Sequence, residues 1–297
     1  MKIHDFRIAD FNIRLLFSED GRNDMSLLPS FATFAIDTIS PNDDLLFTLT
    51  IDDNLKPIEK SKRTRIRAFD TGNGDTIVDE VASGGYQFII KDLEGRDCCL
   101  FQGNADFSEC KCALNGNRIM RTFGLNNALM MAFAFSSGFH QTVLMHASVI
   151  MKKGWGYAFT AVSGTGKSTH TSLWLKHIPG AELLNDDNPI IRVIDGEAYI
   201  YGAPWSGKTP CYRNMRTRLG AISLIVRDTK NYLEKMPTLQ AYTTLLPSVS
   251  SMRWDGKIFD NVCNNVGLVM EKTDVYSLHC LPNKEAAVIC HDTIAKE

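Results

Sequence analysis

An α/β domain built on a glycine-rich phosphate-binding loop, preceded by a smaller β-rich domain, is what this 297-residue sequence predicts. Three observations predict it. Short β-prone runs, separated by turn residues, occupy the chain to about residue 120. From residue 143 apolar runs alternate with helical patterns, as α/β domains do. Within that second part, Ser163-Gly-Thr-Gly-Lys-Ser-Thr169 follows an apolar run and precedes a helical segment, the strand–loop–helix order of a P-loop.

The elements follow in order. Residues 11–17, 45–51, 86–90 and 98–102 read as strands, with turn signals at 20–24, 72–75, 83–85 and 115–117. This first part, residues 1–120, reads as an accessory antiparallel β domain without a catalytic constellation. Its expected work is acceptor recognition, assembly or scaffolding. Residues 123–139, rich in alanine and methionine, read as a helix joining the halves and packing on the second. Residues 121–297 form the P-loop domain. Strands are expected at 143–150, 156–162, 190–194, 198–201, 221–226 and 275–281. Helices are expected at 167–177, 239–246, 259–270 and 284–294, and Asp195-Gly196 turns a hairpin.

The loop carries the most specific chemistry. Gly164 and Gly166 let the backbone curl so that N–H groups converge on phosphate oxygens. Ser163, Thr165 and Thr169 complete the cradle, and the following helix adds its positive end. Lys167 is placed to neutralise β/γ-phosphate charge, and the Ser168 hydroxyl to sit on Mg²⁺. Ala161 stands where the full pattern has glycine, ahead of the residues that make the cradle. A nucleoside triphosphate or diphosphate is the expected ligand.

Asn185-Asp186-Asp187-Asn188 comes next. After a P-loop, one carboxylate can hold Mg²⁺ and the other take a proton from an attacking hydroxyl. Adjacent strand residues face opposite ways, so a bend or strand end is needed to bring both inward, and Pro189 supports one. His146, expected mid-strand, is either a satisfied core histidine or the group that orients Asp186 or Asp187. Residues 202–208, Gly-Ala-Pro-Trp-Ser-Gly-Lys, form a loop whose Trp205, Ser206 and Lys208 are candidates for clamping a substrate.

Composition excludes some partners. A net charge of −2 argues against nucleic acid as a main partner, and no stretch is apolar enough to span a membrane. No secretory signal pattern opens the chain, so the cytoplasm is the expected compartment. The eight cysteines lack zinc-knuckle spacing and read as reduced thiols, with Cys110 and Cys112 sharing one face of a strand.

Met145-His146-Ala147, then Ser163-Gly-Thr-Gly-Lys-Ser168, then Asp186-Asp187 resembles, in order and spacing, the C-terminal domain of the HPr kinase/phosphorylase family. That family shares its P-loop core with the ATP-dependent phosphoenolpyruvate carboxykinases. The loop as written, with Leu173-Trp174 and the 202–208 loop, is most similar to HPr-kinase-like proteins of uncertain substrate. The resemblance covers roughly residues 140–297.

It implies an ATP-dependent phosphotransferase acting on a serine-type hydroxyl of a protein, peptide or small molecule, with ATP and Mg²⁺ as cofactors. By the same resemblance Lys167 binds phosphate and Ser168 and Asp186 serve the metal. Asp187 is then the proton acceptor, supported by Asp186 and His146. Homo-oligomers are expected by analogy. The Leu-Glu-x-Arg-Gly signature of the bifunctional members has no counterpart: the nearest stretch, Met215-Arg-Thr-Arg-Leu-Gly220, lacks the glutamate that would serve phosphorylase activity. Two alternatives stand beside this reading: a nucleotide-binding module without catalysis, and a carboxykinase-like or hydrolytic ATPase.

Overall fold

The computed structural model describes residues 1–19, 21–70, 74–162 and 164–296. Ser163 of the loop, and Asp20, Gly72 and Asn73 of the expected turns, lie outside the described residues. The fold is mixed α/β with two large sheets, and its contacts divide into two compact units, Met1–Ser137 and Gly138–Glu297.

In the first unit the strands are β1 (Lys2–Ile8), β2 (Phe11–Phe17), β3 (Ala35–Ile36), β4 (Leu45–Ile51), β5 (Arg63–Asp70), β6 (Asp75–Val81), β7 (Tyr86–Lys91), β8 (Asp97–Gly103) and β9 (Glu109–Leu114). They form one nine-stranded sheet in the order β3-β1-β2-β4-β9-β8-β7-β6-β5. The sheet is not antiparallel throughout: β2 pairs with β4, and β4 with β9, in parallel. The chain between β2 and β4 makes the long return that parallel pairing demands. Period-2 patterns bury Ile13, Leu15 and Phe17 of β2 and Cys110 and Cys112 of β9, the shared face expected of those two cysteines. All eight cysteines are free, and among the described residues no group of three or more His, Cys, Asp or Glu side chains is arranged to hold a metal ion.

The helix α1 (Arg118–Ser137) packs on β7, β8, β9 and β4, so it belongs to the first unit. A boundary near 120, with this helix on the second half, is therefore corrected to one after Ser137. Gly124 shows why the helix sits there. A Cβ at this position would lie 2.8 Å from the Cys99 Cβ and 2.9 Å from the Cys98 carbonyl oxygen, so glycine lets α1 lie close against β8. No helix among the described residues is long and apolar enough to cross a membrane.

The second unit contains β10 (Thr142–Leu144), β11 (Ala147–Lys152), β12 (Trp155–Thr160), α2 (Lys167–His177), β13 (Glu182–Asp187), β14 (Ile190–Ile194), β15 (Glu197–Tyr201), β16 (Arg216–Arg227), β17 (Tyr232–Lys235), α3 (Thr238–Leu245), α4 (Gly256–Lys272), β18 (Asp274–Cys280) and α5 (Lys284–Ile294). The main path of its sheet runs β10-β14-β15-β16-β12-β11-β13, and β18 joins β16 with β17 beyond it. Strand β16 runs parallel to β12 on one side and to β18 on the other, so the carboxyl ends of all three lie on one rim. Two apolar layers flank the sheet. One holds Tyr157, Phe159, Trp174 and Cys290; the other holds Val149, Ile222, Val262 and Val266.

The single strand expected at 143–150 is two, β10 and β11, broken at Met145 and His146. The break has partners that hold it. The Met145 N–H donates to the Pro189 carbonyl at 3.0 Å, and the His146 N–H donates to the Ser248 carbonyl at 2.6 Å. His146 thus stands at a strand break rather than mid-strand.

Candidate functional site

The loop after β12 has the backbone that its glycines foretell. Gly164 has φ 77° and Gly166 φ 128°, values that L side chains rarely adopt. Gly166 caps α2, and among the described residues no side-chain cap bond satisfies the free N–H groups at this helix start. That turn contains no acidic residue and begins with Lys167. A cation at a helix N-terminus opposes the macrodipole, so this end of α2 is electrostatically suited to an arriving anion.

Lys167 is half-buried, and burial pushes its ammonium below the usual lysine range, with the Asp187 and Asp186 charges working against the shift. Its Nζ lies 2.7 Å from His146 Nε2. His146 Nδ1 lies 3.0 Å from Asp187 Oδ1. An ammonium has only hydrogens to give, so Nε2 accepts and the neutral ring carries its proton on Nδ1, which donates to Asp187. The result is a chain Lys167–His146–Asp187. Of the two carboxylates, the one His146 contacts is Asp187.

The two adjacent carboxylates are separated by a backbone turn. Asp187 ends β13 with φ 131°, in the left-handed region where a residue with a Cβ is strained. This supplies the bend that the sequence requires. Asp186 is buried, and the Ser168 hydroxyl donates to it, 3.1 Å from Oδ1 and 3.3 Å from Oδ2. Asp187 is instead held by His146 and by the Asn188 amide, whose Nδ2 donates to Oδ2 at 2.7 Å.

The 202–208 loop closes over the same place. Ser206 pairs with Asp187 in an isolated bridge, and its Oγ donates to the Asp186 carbonyl at 3.0 Å. The Gly207 N–H also bonds that carbonyl, and the Thr209 N–H donates to Asp186 Oδ2 at 3.3 Å. A Cβ on Gly207 would lie 3.1 Å from the Asp187 Cβ, so glycine allows the loop to lie this close. Trp205 is buried and acts through its backbone: its carbonyl accepts the Asn185 Nδ2 at 3.0 Å. Lys208 is exposed beside these contacts, as is Thr169 on the first turn of α2.

The fold therefore gathers His146, Lys167, Ser168, Asp186, Asp187 and Ser206 at one rim. Three contributors carry little signal in sequence. Arg227, at the end of β16, donates from its guanidinium to the Gly164 carbonyl at 2.6 Å and the Thr165 carbonyl at 3.2 Å. Thr209 and Ser248 act through backbone groups, which any residue type would supply. Asn188 had a signal, because it stands next to the paired carboxylates.

No protein-family model and no curated protein sequence matches this chain. Among solved structures it is similar to the HPr(Ser) kinase/phosphatase from Coxiella burnetii, at 11% identity and a TM-score of 0.29, over 50% of this chain and 91% of that one.

Proposed function

We propose that the second unit binds a nucleoside triphosphate, ATP in the first instance, with Mg²⁺, and transfers the γ-phosphoryl group to a hydroxyl acceptor. One observation carries this reading: the neighbouring carboxylates are given different partners. Asp186 faces the Ser168 hydroxyl, and Asp187 faces the His146–Lys167 pair. Binding alone has no need of such a division, whereas attack on the γ-phosphorus by a hydroxyl needs one group for the metal and another for the proton; the acceptor dependence of turnover tells an acceptor hydroxyl from water.

The donor set fits Mg²⁺. Ser168 Oγ and the Asp186 carboxylate are hard oxygens in mutual contact, and Mg²⁺ bound with a nucleotide takes only one or two protein ligands, the rest being water and phosphate. When bound, the metal supplies charge neutralisation at the β- and γ-phosphates. Lys167 and the N–H groups at the start of α2 bind phosphate oxygens. Asp187 accepts the proton of the acceptor hydroxyl on one of its carboxylate oxygens, each of which keeps a second lone pair beside its existing hydrogen bond. The acceptor oxygen forms its bond to the γ-phosphorus as the bond to the β–γ bridging oxygen breaks, and the nucleoside diphosphate departs. His146 is a positioning residue: its Nδ1–H fixes the Asp187 carboxylate.

Substitution His146→Ala is expected to lower the turnover rate by about ten-fold or more while the melting temperature moves little, because the ring is part-exposed at a strand break. A large fall in melting temperature with an unchanged rate would make His146 a structural histidine. The reading as a whole is tested by incubating the full chain with Mg²⁺-ATP and a panel of free serine, seryl peptides and small alcohols. Acceptor-dependent ADP formation with a phosphorylated product is the expected result. Phosphate release independent of acceptor would make the chain a hydrolase, and binding without turnover would make it a nucleotide-responsive module.

A further inference from the structure

Ligands of parallel strands bind beyond the carboxyl ends of those strands. On the rim formed by β12, β16 and β18, the phosphate loop occupies only the end of β12. The end of β16 is tied to that loop, since the Arg227 guanidinium donates to two of its carbonyls. The next residue opens a second cluster. The Asp228 carboxylate lies 2.9 Å from His279 Nδ1 and accepts from the Tyr232 hydroxyl at 3.4 Å. The Tyr232 and His279 rings lie parallel, with centroids 4.4 Å apart and an interplanar angle of 8°. Tyr232 and His279 face each other directly in the β17–β18 ladder, and both are half-buried.

From these placements we infer that the Tyr232–His279 pair, held by Asp228, is the platform for the base of the nucleotide whose phosphates lie on the glycine loop. The inference rests on the proposed phosphate cradle and deepens it. A nucleotide needs a polar end and an aromatic surface, and this rim sets the loop, at the end of β12, two strands from His279 on β18, about 10 Å at the usual strand spacing. In the β16–β18 ladder Arg227 stands opposite Cys280 while Val226 stands opposite His279, so Arg227 and the His279 ring leave the sheet on opposite faces. A ligand that touches both loop and rings must therefore cross the end of β16, which fits an extended molecule and not a lone phosphate. Stacking on an aromatic ring is tolerant of base identity and is a sizeable share of nucleotide affinity. The platform therefore selects nucleosides over bare polyphosphates, without choosing strongly among bases.

Calorimetric titration of the full chain with Mg²⁺-ADP and with Mg²⁺-pyrophosphate tests this. The wild type should bind ADP about ten-fold or more tighter than pyrophosphate. Tyr232→Ala and Tyr232→Leu should each lose about ten-fold in ADP affinity while pyrophosphate affinity stays within about two-fold, and Tyr232→Phe should keep the wild-type ratio. Pyrophosphate binding doubles as the folding control, and the leucine variant keeps an apolar side chain in β17. An unchanged ADP-to-pyrophosphate ratio in the alanine and leucine variants would overturn the platform while leaving the cradle intact. Loss of pyrophosphate binding in both would overturn the separation of the two subsites. Failure of the wild type to bind either ligand would overturn the cradle itself, and the platform with it.

Discussion

Replacing Asp187 with asparagine is expected to lower phosphoryl transfer by about two to four orders of magnitude, with nucleotide affinity nearly unchanged. The substitution removes the lone-pair basicity of a carboxylate and leaves the shape. Asparagine has the same size and branching as aspartate, so the strained φ of 131° at the end of β13 costs it no more. In the proposed reading the contacts to phosphate and metal belong to other groups: Lys167, which contacts His146, and Ser168 with the buried Asp186. Steady-state rates and a separate titration with Mg²⁺-ADP read the two effects apart. Full transfer activity in Asp187→Asn would move the base to Asp186 or to the acceptor itself. Lost affinity with an unchanged rate would place Asp187 in the binding set.

The second large effect concerns pH and lies just behind the loop. His170, on α2, is buried, and burial in this apolar setting pushes its pKa down to about 4. The Trp174 indole donates to its Nε2 at 3.0 Å, and the Phe159 ring packs against it at 4.7 Å. The ring is therefore neutral when folded and carries its proton on Nδ1, which has no partner among the described residues. An unfolded histidine titrates near 6.5. Between about pH 6.5 and pH 4 the unfolded chain gains a proton that the folded chain refuses. The contribution of His170 to stability is thus intact above about pH 6.5 and falls as pH drops towards 4, by about 3 kcal/mol in all. Depressed carboxylates such as Asp5 and Asp79 lose stability in the acid range too, with the same sign. A difference between two chains isolates the histidine. Denaturation of wild type and His170→Gln at pH 7 and pH 4.5 should show a smaller acid loss in the variant. Equal losses would mean that His170 titrates normally.

Much of the second unit was legible because its local signals agree with its packing. The glycine pair and Lys167 mark the start of α2, Asp195-Gly196 marks the β14–β15 turn with φ 50° and 78°, and the helix expected at 284–294 is α5. The paired carboxylates were legible with them, and so was the need for a bend, since strand alternation alone would have kept them apart. The rest depended on distant partners. β5 and β6 carry charges that seem ill-suited to a sheet until Arg63 and Arg65 meet Asp79 across the ladder. The break at His146 is written by the carbonyls of Pro189 and Ser248, which no window around residue 146 contains. The placement of α1 depends on Gly124 meeting β8, a contact that a composition rich in alanine and methionine does not specify. Arg227 is one charged residue at the end of an apolar run until the fold brings the loop to it.

In the proposed reading the rim at the start of α2 is a nucleotide-phosphate cradle whose main countercharge is Lys167. Calorimetric titration of wild type and Lys167→Ala with ATP, each with and without Mg²⁺, tests it most directly. Saturable, Mg²⁺-dependent binding by the wild type, weakened many-fold in Lys167→Ala, is the expected result. Absence of Mg²⁺-dependent binding of ATP, ADP, GTP or pyrophosphate by the wild type, or equal binding by the two proteins, would contradict it.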